Sequence, residues 1–423
     1  MCDNVPNHVL LGYYANSAPI GEVPMTLFEN EKLAAPAPAP ASSLLQLTDE
    51  SINEKYVKGE VRIITEQARY PLTAIEGMVT GTSYKLDPDF QRRRRWDTVK
   101  KSRLIESFIM NVPIPPIFLY EYEYSQYEVM DGLQRMTAIY DFYTDAFPLQ
   151  GLQEWAELNG MRYSQLPEQV RKGIDRRYLS SIILLQETAR NPDEALRLKQ
   201  LVFERINSGG IKLEPQETRN ALYGGPLNRL CIRLARNRYL CRMWDIPEPT
   251  EAEIEHEEVS ADLLSNESYQ KMDDVELVLR FFAHRQRLDQ EKFELKSYLD
   301  EFLRQGNSFD SDLLAKYEDL FTQTVKLVYD VLGDRAFWLL RRRAGNWQWY
   351  QRPTKVLYDP IMYVFSQNLE HSDKLRERRQ AIRDAFPQFY QDYYDNFEGR
   401  STNRTNLAER NQLTELFIEQ FLA

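Results

Sequence analysis

The sequence predicts an α+β fold, in which a mixed strand-and-helix region is followed by a mainly helical one. Two short β-prone runs, Ile117-Phe118-Leu119-Tyr120 and Tyr127-Glu128-Val129-Met130, stand close together, and the second alternates across a sheet. From about residue 226 onward, apolar residues recur at helical spacing with no strand-like run between them. A chain of 423 residues with 43% hydrophobic composition can bury a full core, and its length suggests two or three domains.

Residues 1–50 form an N-terminal extension. Its Ala/Pro tract, residues 34–43, cannot build a packed core and has the composition of a tether. Ahead of it, Val9-Leu10-Leu11-Gly12-Tyr13-Tyr14 is expected to dock on the body of the protein. Residues 51–225 carry the mixed pattern, with a strand expected at 61–64 and one or two helical turns at 72–79. Asp97 is placed to cap a helix with Leu104, Ile105, Phe108 and Ile109 on one face. After the two strands, Met136, Ile139, Tyr140 and Tyr143 mark another helix, so Asp131-Gly132-Leu133-Gln134-Arg135 falls at a strand-to-helix turn. A further helix is expected to end at Asn207, and the next to begin near Glu214 with Pro215 in its first turn. Residues 226–423 form the helical domain, marked by Leu227, Leu230, Cys231 and Leu234, and later by Leu313, Leu314, Tyr317 and Phe321. No internal repeat is evident.

The net charge of −11 and the isoelectric point near 5.2 argue against a general nucleic-acid coat. The acid is concentrated: residues 245–276 hold twelve Asp and Glu against one Lys, a local −11 that leaves the remainder near neutral. This stretch is expected to be a solvated linker. Cys2, Cys231 and Cys241 are too few for a disulfide framework and point to a reducing compartment, with the last two placed as helix-core residues. There is no apolar run near 18 residues and no basic leader ahead of an apolar one, so the expected setting is cytoplasmic, with no membrane partner.

The Asp131–Arg135 turn has chemistry that a junction does not need. A strand ending in Asp131 and Gly132 with a helix starting near Gln134 aims backbone N–H groups and the positive helix end at an anion. Gly132 permits close approach of a ligand, and Arg135 can bind a pair of phosphate oxygens. Gln134 can orient a water or an amide, while Asp131 can hold a divalent cation or accept a proton. The plain structural alternative is that Asp131 caps the helix and Arg135 pairs with it. Upstream, Pro88-Asp89-Phe90-Gln91-Arg92-Arg93-Arg94-Arg95-Trp96 combines phosphate-binding and stacking groups, and residues 85–106 hold eight basic against four acidic side chains. A third stretch, from Phe203 to Asn220, joins two helices through Gly209 and Gly210.

Together these stretches resemble the N-terminal domain of GmrSD-type modification-dependent restriction systems, a ParB/sulfiredoxin-like fold. Pro88, Phe90, Gln91, Arg92 and Trp96 match that family's Pro-x-(Tyr/Phe)-Gln-Arg-x-x-x-Trp segment. Asp131, Gly132, Gln134 and Arg135 match its Asp-Gly-Gln-Gln-Arg motif, and Phe203, Ile206, Asn207, Gly210 and Leu213 match its Phe-x-x-Ile-Asn-x-x-Gly-x-x-Leu segment. The resemblance implies a cytoplasmic anti-phage defence protein with a nucleotide pocket built from Gln91, Arg92, Asp131, Gly132, Gln134, Arg135 and Asn207. It also implies a nucleoside triphosphate with Mg2+ or another divalent cation, which Asp131 would hold, and DNA, including modified phage DNA, as the target. Leu133 departs from the motif's first Gln, which puts hydrolysis in question while leaving binding possible.

Two-part members also carry a His-Asn-His nuclease. The dispersed His8, His256, His284 and His371 do not supply the clustered histidines it needs. A separately encoded nuclease subunit is therefore an expected partner, and a homo-oligomer is compatible with the sequence. Arg93, Arg94 and Arg95, and in the helical region Arg341, Arg342, Arg343 and Trp347, combine basic and aromatic groups suited to nucleic acid. Three readings stay open: a triphosphate-hydrolysing DNA sensor, a metal-dependent DNA nickase using the same pocket, and a non-catalytic subunit that recruits a nuclease.

Overall fold

The computed structural model describes residues 27–34, 48–57, 63–86, 96–188, 191–207, 214–256, 259–287, 294–343, 345–398 and 404–422. The α+β expectation holds, with a sheet in the N-terminal part and a helical C-terminal part. The five-stranded sheet has the order β1-β5-β3-β4-β2, where β1 is Thr65–Pro71, β2 Tyr84–Lys85, β3 Ile117–Glu123, β4 Gln126–Asp131 and β5 Tyr178–Leu184. β3 and β4 pair antiparallel, with Leu119 opposite Val129 and a bulge beside Phe118 and Asp131. β5 lies parallel to β3 and antiparallel to β1, and β2 lies parallel to β4.

One face of this sheet packs on the helices Thr98–Met110 and Leu133–Tyr143, through Ile105, Phe108, Leu119, Val129, Met136 and Ile139. Asp97 caps the first of these as expected, its carboxylate accepting from Lys100 N at 2.7 Å. On the other face, Met130 and Leu184 share a small core with Phe203 and Leu222. These last two come from the helices Pro192–Asn207 and Pro215–Leu222. Asn207 ends its helix and Pro215 opens the next, both where the sequence places them.

The helical part has its own core, built on the helices Asp273–Arg287, Ser311–Leu332 and Lys355–Gln367. Cys231 and Cys241 lie inside it, and burial pushes the Cys241 thiol up to about 12. Among the described residues, no helix is long and apolar enough to cross a membrane.

Several details differ from the sequence expectations. The strand anticipated at 61–64 begins at Thr65. The mainly helical region also contains a two-stranded hairpin, β6 (Trp338–Arg343) and β7 (Asn346–Pro353), which the sequence reading did not anticipate. The acidic stretch is solvated only in part: Asp245, Glu251, Asp262 and Glu267 are exposed, but Ile246, Leu263 and Met272 lie in the core, Asp274 is fully buried, and Glu276 accepts from Arg219 and Lys355. The docking expected for Val9 to Tyr14 lies outside the described residues. A neighbouring part of the extension does dock: Glu31 is fully buried against Arg285 and the Tyr317 hydroxyl.

Candidate functional site

The site is built where β4 passes into the helix Leu133–Tyr143. Gly132 is the N-cap at φ +102, in the left-handed region open to glycine. Space imposes the same choice, because a Cβ here would stand 2.3 Å from Ile117 Cγ2 and 3.2 Å from Arg135 Nη2. The N–H groups of Arg135 and Met136 return to the Gly132 carbonyl, so the helix begins directly above the strand end.

Arg135 turns back over this junction. Its Nη2 donates to Asp131 Oδ2 at 2.7 Å, while Nη1 donates to the Pro116 carbonyl at 3.1 Å and also to that of Pro115. Pro115 and Pro116 precede β3, whose start lies beside the end of β4. Arg135 therefore fixes the strand end, the helix and the β3 entry as one unit. Burial draws its guanidinium below its ordinary value against the opposing pull of Asp131, and it remains a cation.

Asp131 is less enclosed: its side chain is 42% exposed against 12% for Arg135. Its second oxygen, Oδ1, has no partner among the described residues. It does not cap the helix, so of the plain alternative only the Arg135 pairing holds. Leu133 packs into the core beneath the helix at 5% exposure, so the position that departs from the motif is a packing position in this chain.

Gln134 Oε1 accepts from the Trp96 N–H at 3.1 Å, which ties the entry of the helix Thr98–Met110 to the turn. The Trp96 ring carries Lys100 Nζ over its face at 4.8 Å. Gln91, Arg92, Arg93, Arg94 and Arg95 lie outside the described residues, but both ends of their segment are anchored. β2 ends at Lys85, opposite Glu128 and running the same way as β4, and the chain returns at Trp96 beside Gln134.

The third element runs alongside. Lys199 donates to both oxygens of Glu128 at 2.7 Å, and one turn later Phe203 shares a core with Met130. One turn further along the helix comes Asn207, as Gly132 comes two residues further along the strand. The Lys199–Glu128 pair and the two proline carbonyls were not foreseen. Pro115-Pro116 was legible only as a break before a strand, although such a break leaves carbonyls unpaired.

Among the described residues, no group of three or more His, Cys, Asp or Glu side chains could hold a metal ion. His284 is buried, with Nδ1 3.5 Å from Asp359 Oδ1, and His371 is exposed beside Glu370. Trp347 packs edge-on against Tyr394 with ring centres 5.2 Å apart.

Residues 75–224, about a third of the chain, match the family model described as the GmrSD restriction endonuclease, N-terminal domain. That span runs from the helix ahead of β2 to the end of the helix Pro215–Leu222, and so encloses the whole site. No curated protein and no solved structure matches the chain.

Proposed function

With residues 75–224 placed in the GmrSD N-terminal domain family, we propose that this restriction-type defence protein binds and hydrolyses a nucleoside triphosphate at the Asp131–Arg135 turn. The hydrolysis is coupled to sensing or processing DNA. The observation that carries this reading is the half-exposed Asp131 carboxylate, held by the partly buried Arg135 at the start of a helix. An eleven-residue helix turns its positive end and first amides toward this point, which suits the terminal phosphates.

Each residue then has a role. Asp131 holds the divalent cation or accepts the proton of the attacking water. Mg2+ is commonly held by one or two carboxylates with phosphate oxygens and water completing its shell, so a lone carboxylate suffices. Arg135 positions Asp131 and supplies fixed positive charge behind it. Gln91 and Arg92, which lie outside the described residues, are assigned to phosphate binding, and Gln134 holds the chain where it returns at Trp96. Asn207, the last residue of the helix Pro192–Asn207, is assigned to orienting the nucleotide. Leu133 lies in the core, and hydrolysis in this account rests on Asp131 and Arg135 rather than on a side chain at position 133. The ParB/sulfiredoxin-like assignment of the sheet belongs to the same proposal. DNA cleavage, in this account, falls to a separately encoded nuclease subunit.

Calorimetric titration with non-hydrolysable analogues of the four ribonucleoside triphosphates, with and without Mg2+, tests the binding step. Binding that strengthens with Mg2+ in the wild type and loses that dependence in Asp131→Asn supports the assignment. No binding to any analogue excludes it, and Mg2+-dependent nicking without nucleotide would give the pocket to DNA instead.

A further inference from the structure

The hairpin β6–β7 sits outside the family domain and has an unusual charge state. Its residues 338–353 include Arg341, Arg342, Arg343 and Arg352 and no Asp or Glu, a local +4 in a chain of net −11. Several buried arginines of the helical part are neutralised by carboxylates. Arg236 is held by Glu253, Arg280 by Asp359 and Arg285 by Glu31. Arg341, Arg342 and Arg343 have no ion pair among the described residues. An unneutralised triplet is a poor device for stability, since it adds repulsion and contributes no compensating pair.

The register separates the two faces of the ribbon. Leu340 lies opposite Trp349 and Arg342 opposite Trp347. Trp347 packs on Tyr394, and Trp349 on Tyr390 at 6.2 Å between ring centres, so this face is anchored on the C-terminal helices. The other face presents Arg341 opposite Gln348 and Arg343 opposite Asn346, with the Arg341 guanidinium 4.2 Å from the Tyr350 ring centre. Arg342, Arg343, Asn346 and Gln348 are exposed. At the tip, Gly345 adopts φ +84, and a Cβ there would meet nothing within 4 Å. The ribbon is fixed at its base and open along one face and its tip, and Arg342, although on the Trp347 face, is exposed next to that tip.

We infer that this hairpin is a DNA-contacting ribbon that binds the phosphate backbone of a duplex through Arg341, Arg342 and Arg343. The inference rests on the reading of the protein as DNA-directed and adds to it the surface and the form of the DNA. A two-stranded ribbon has the width to enter a major groove, and arginine forks match phosphate oxygens. Duplex is favoured over single strand because Trp347 packs on Tyr394 and the partly exposed Trp349 meets Tyr390 edge to face, which leaves the arginines as the groups most open to a ligand. Stacking on Tyr350 holds Arg341 extended along the open face.

Fluorescence anisotropy of a labelled duplex, titrated with the full chain over a range of salt, tests the ribbon. The variants are the triple Arg341→Ala, Arg342→Ala, Arg343→Ala and the corresponding triple to Lys, each checked for a wild-type melting curve. Each lost phosphate contact lowers the log–log salt slope by about 0.9, so the Ala triple is expected to lose about 2 to 3 units of slope and more than tenfold in affinity. The Lys triple should keep the slope, and Arg233→Ala, at an exposed but paired arginine, should bind as wild type. Phosphate release without DNA should be unchanged in every variant. Wild-type duplex binding that the Ala triple retains at the same slope overturns the ribbon and leaves the DNA reading intact. Hairpin-dependent binding to single strands or RNA alone overturns the duplex assignment. No binding to any nucleic acid overturns both the ribbon and the DNA reading.

Discussion

Replacing Gly132 with Ala tests the geometry on which the whole site depends. At φ +102 an added Cβ brings strain of about 1–2 kcal/mol, the usual penalty of left-handed backbone for a residue with a side chain. It would also stand 2.3 Å from Ile117 Cγ2, in a fully buried side chain of β3 that cannot swing away, and overpacking of this kind costs about 1–3 kcal/mol. Against these stands a gain of about 0.4–1 kcal/mol from the stiffer unfolded chain. The net expectation is a loss of about 2–4 kcal/mol, or roughly 5–15 °C in the melting of a domain of this size. The added methyl also meets Arg135 Nη2 at 3.2 Å, so the guanidinium should shift from Asp131 and triphosphate turnover should fall with stability. Gly173→Ala is the matched control, since Gly173 lies inside the helix Glu168–Asp175 with nothing within 4 Å of a new Cβ. It should stabilise by about 0.5–1 kcal/mol. Thermal unfolding by circular dichroism, with phosphate release on the same samples, reads both. Equal melting of the two variants would refute the close approach of Ile117 and the turn built on it.

Three further outcomes follow from other parts of the molecule. Burial works against the charged form of Glu276, but Lys355, Arg219 and Arg280 outweigh it and bring the carboxyl from its ordinary 4.5 to about 2. A depressed folded-state value gives stability that is present above about pH 4.5 and lost as pH falls toward about 2, worth about 3 kcal/mol. Glu276→Gln should therefore flatten the acid limb of a stability–pH profile, and an unchanged limb would contradict the assignment. Arg285→Met strands the fully buried Glu31 and should cost about 3–5 kcal/mol by urea unfolding, with part recovered on adding Glu31→Gln. Leu133→Gln, which restores the family motif, should cost about 1–3 kcal/mol by burying an amide in the core. A gain in turnover at unchanged melting temperature would instead place that side chain in the pocket.

The parts of the fold legible in the sequence are those specified by neighbours a few residues away. The Asp97 cap, the β3 and β4 runs, the helix after Gly132 and the Pro215 helix start all appear where local chemistry puts them. Arg135 and Asp131 were legible as a pair because they stand four residues apart across one tight strand-to-helix turn. What was not legible depends on distant partners. β5, with two serines in mid-strand, owes its place to β1 and β3. The β6–β7 hairpin depends on Tyr390 and Tyr394, and Glu276 at the end of the acidic stretch on Arg219 and Lys355, each about forty or more residues away from its partner. The proline carbonyls that hold Arg135 are backbone groups, and nothing in side-chain identity marks them.

The central claim is that Asp131 is the reacting-site carboxylate and Arg135 its fixed support. Phosphate release from the four ribonucleoside triphosphates with Mg2+, comparing wild type with Asp131→Asn and Arg135→Lys, tests this most directly. The account predicts turnover by the wild type, its loss in Asp131→Asn without loss of folding, and a reduced rate in Arg135→Lys, whose single ammonium cannot reach Asp131 and the proline carbonyls together. Wild-type turnover that survives Asp131→Asn, or no turnover with any triphosphate, would contradict it.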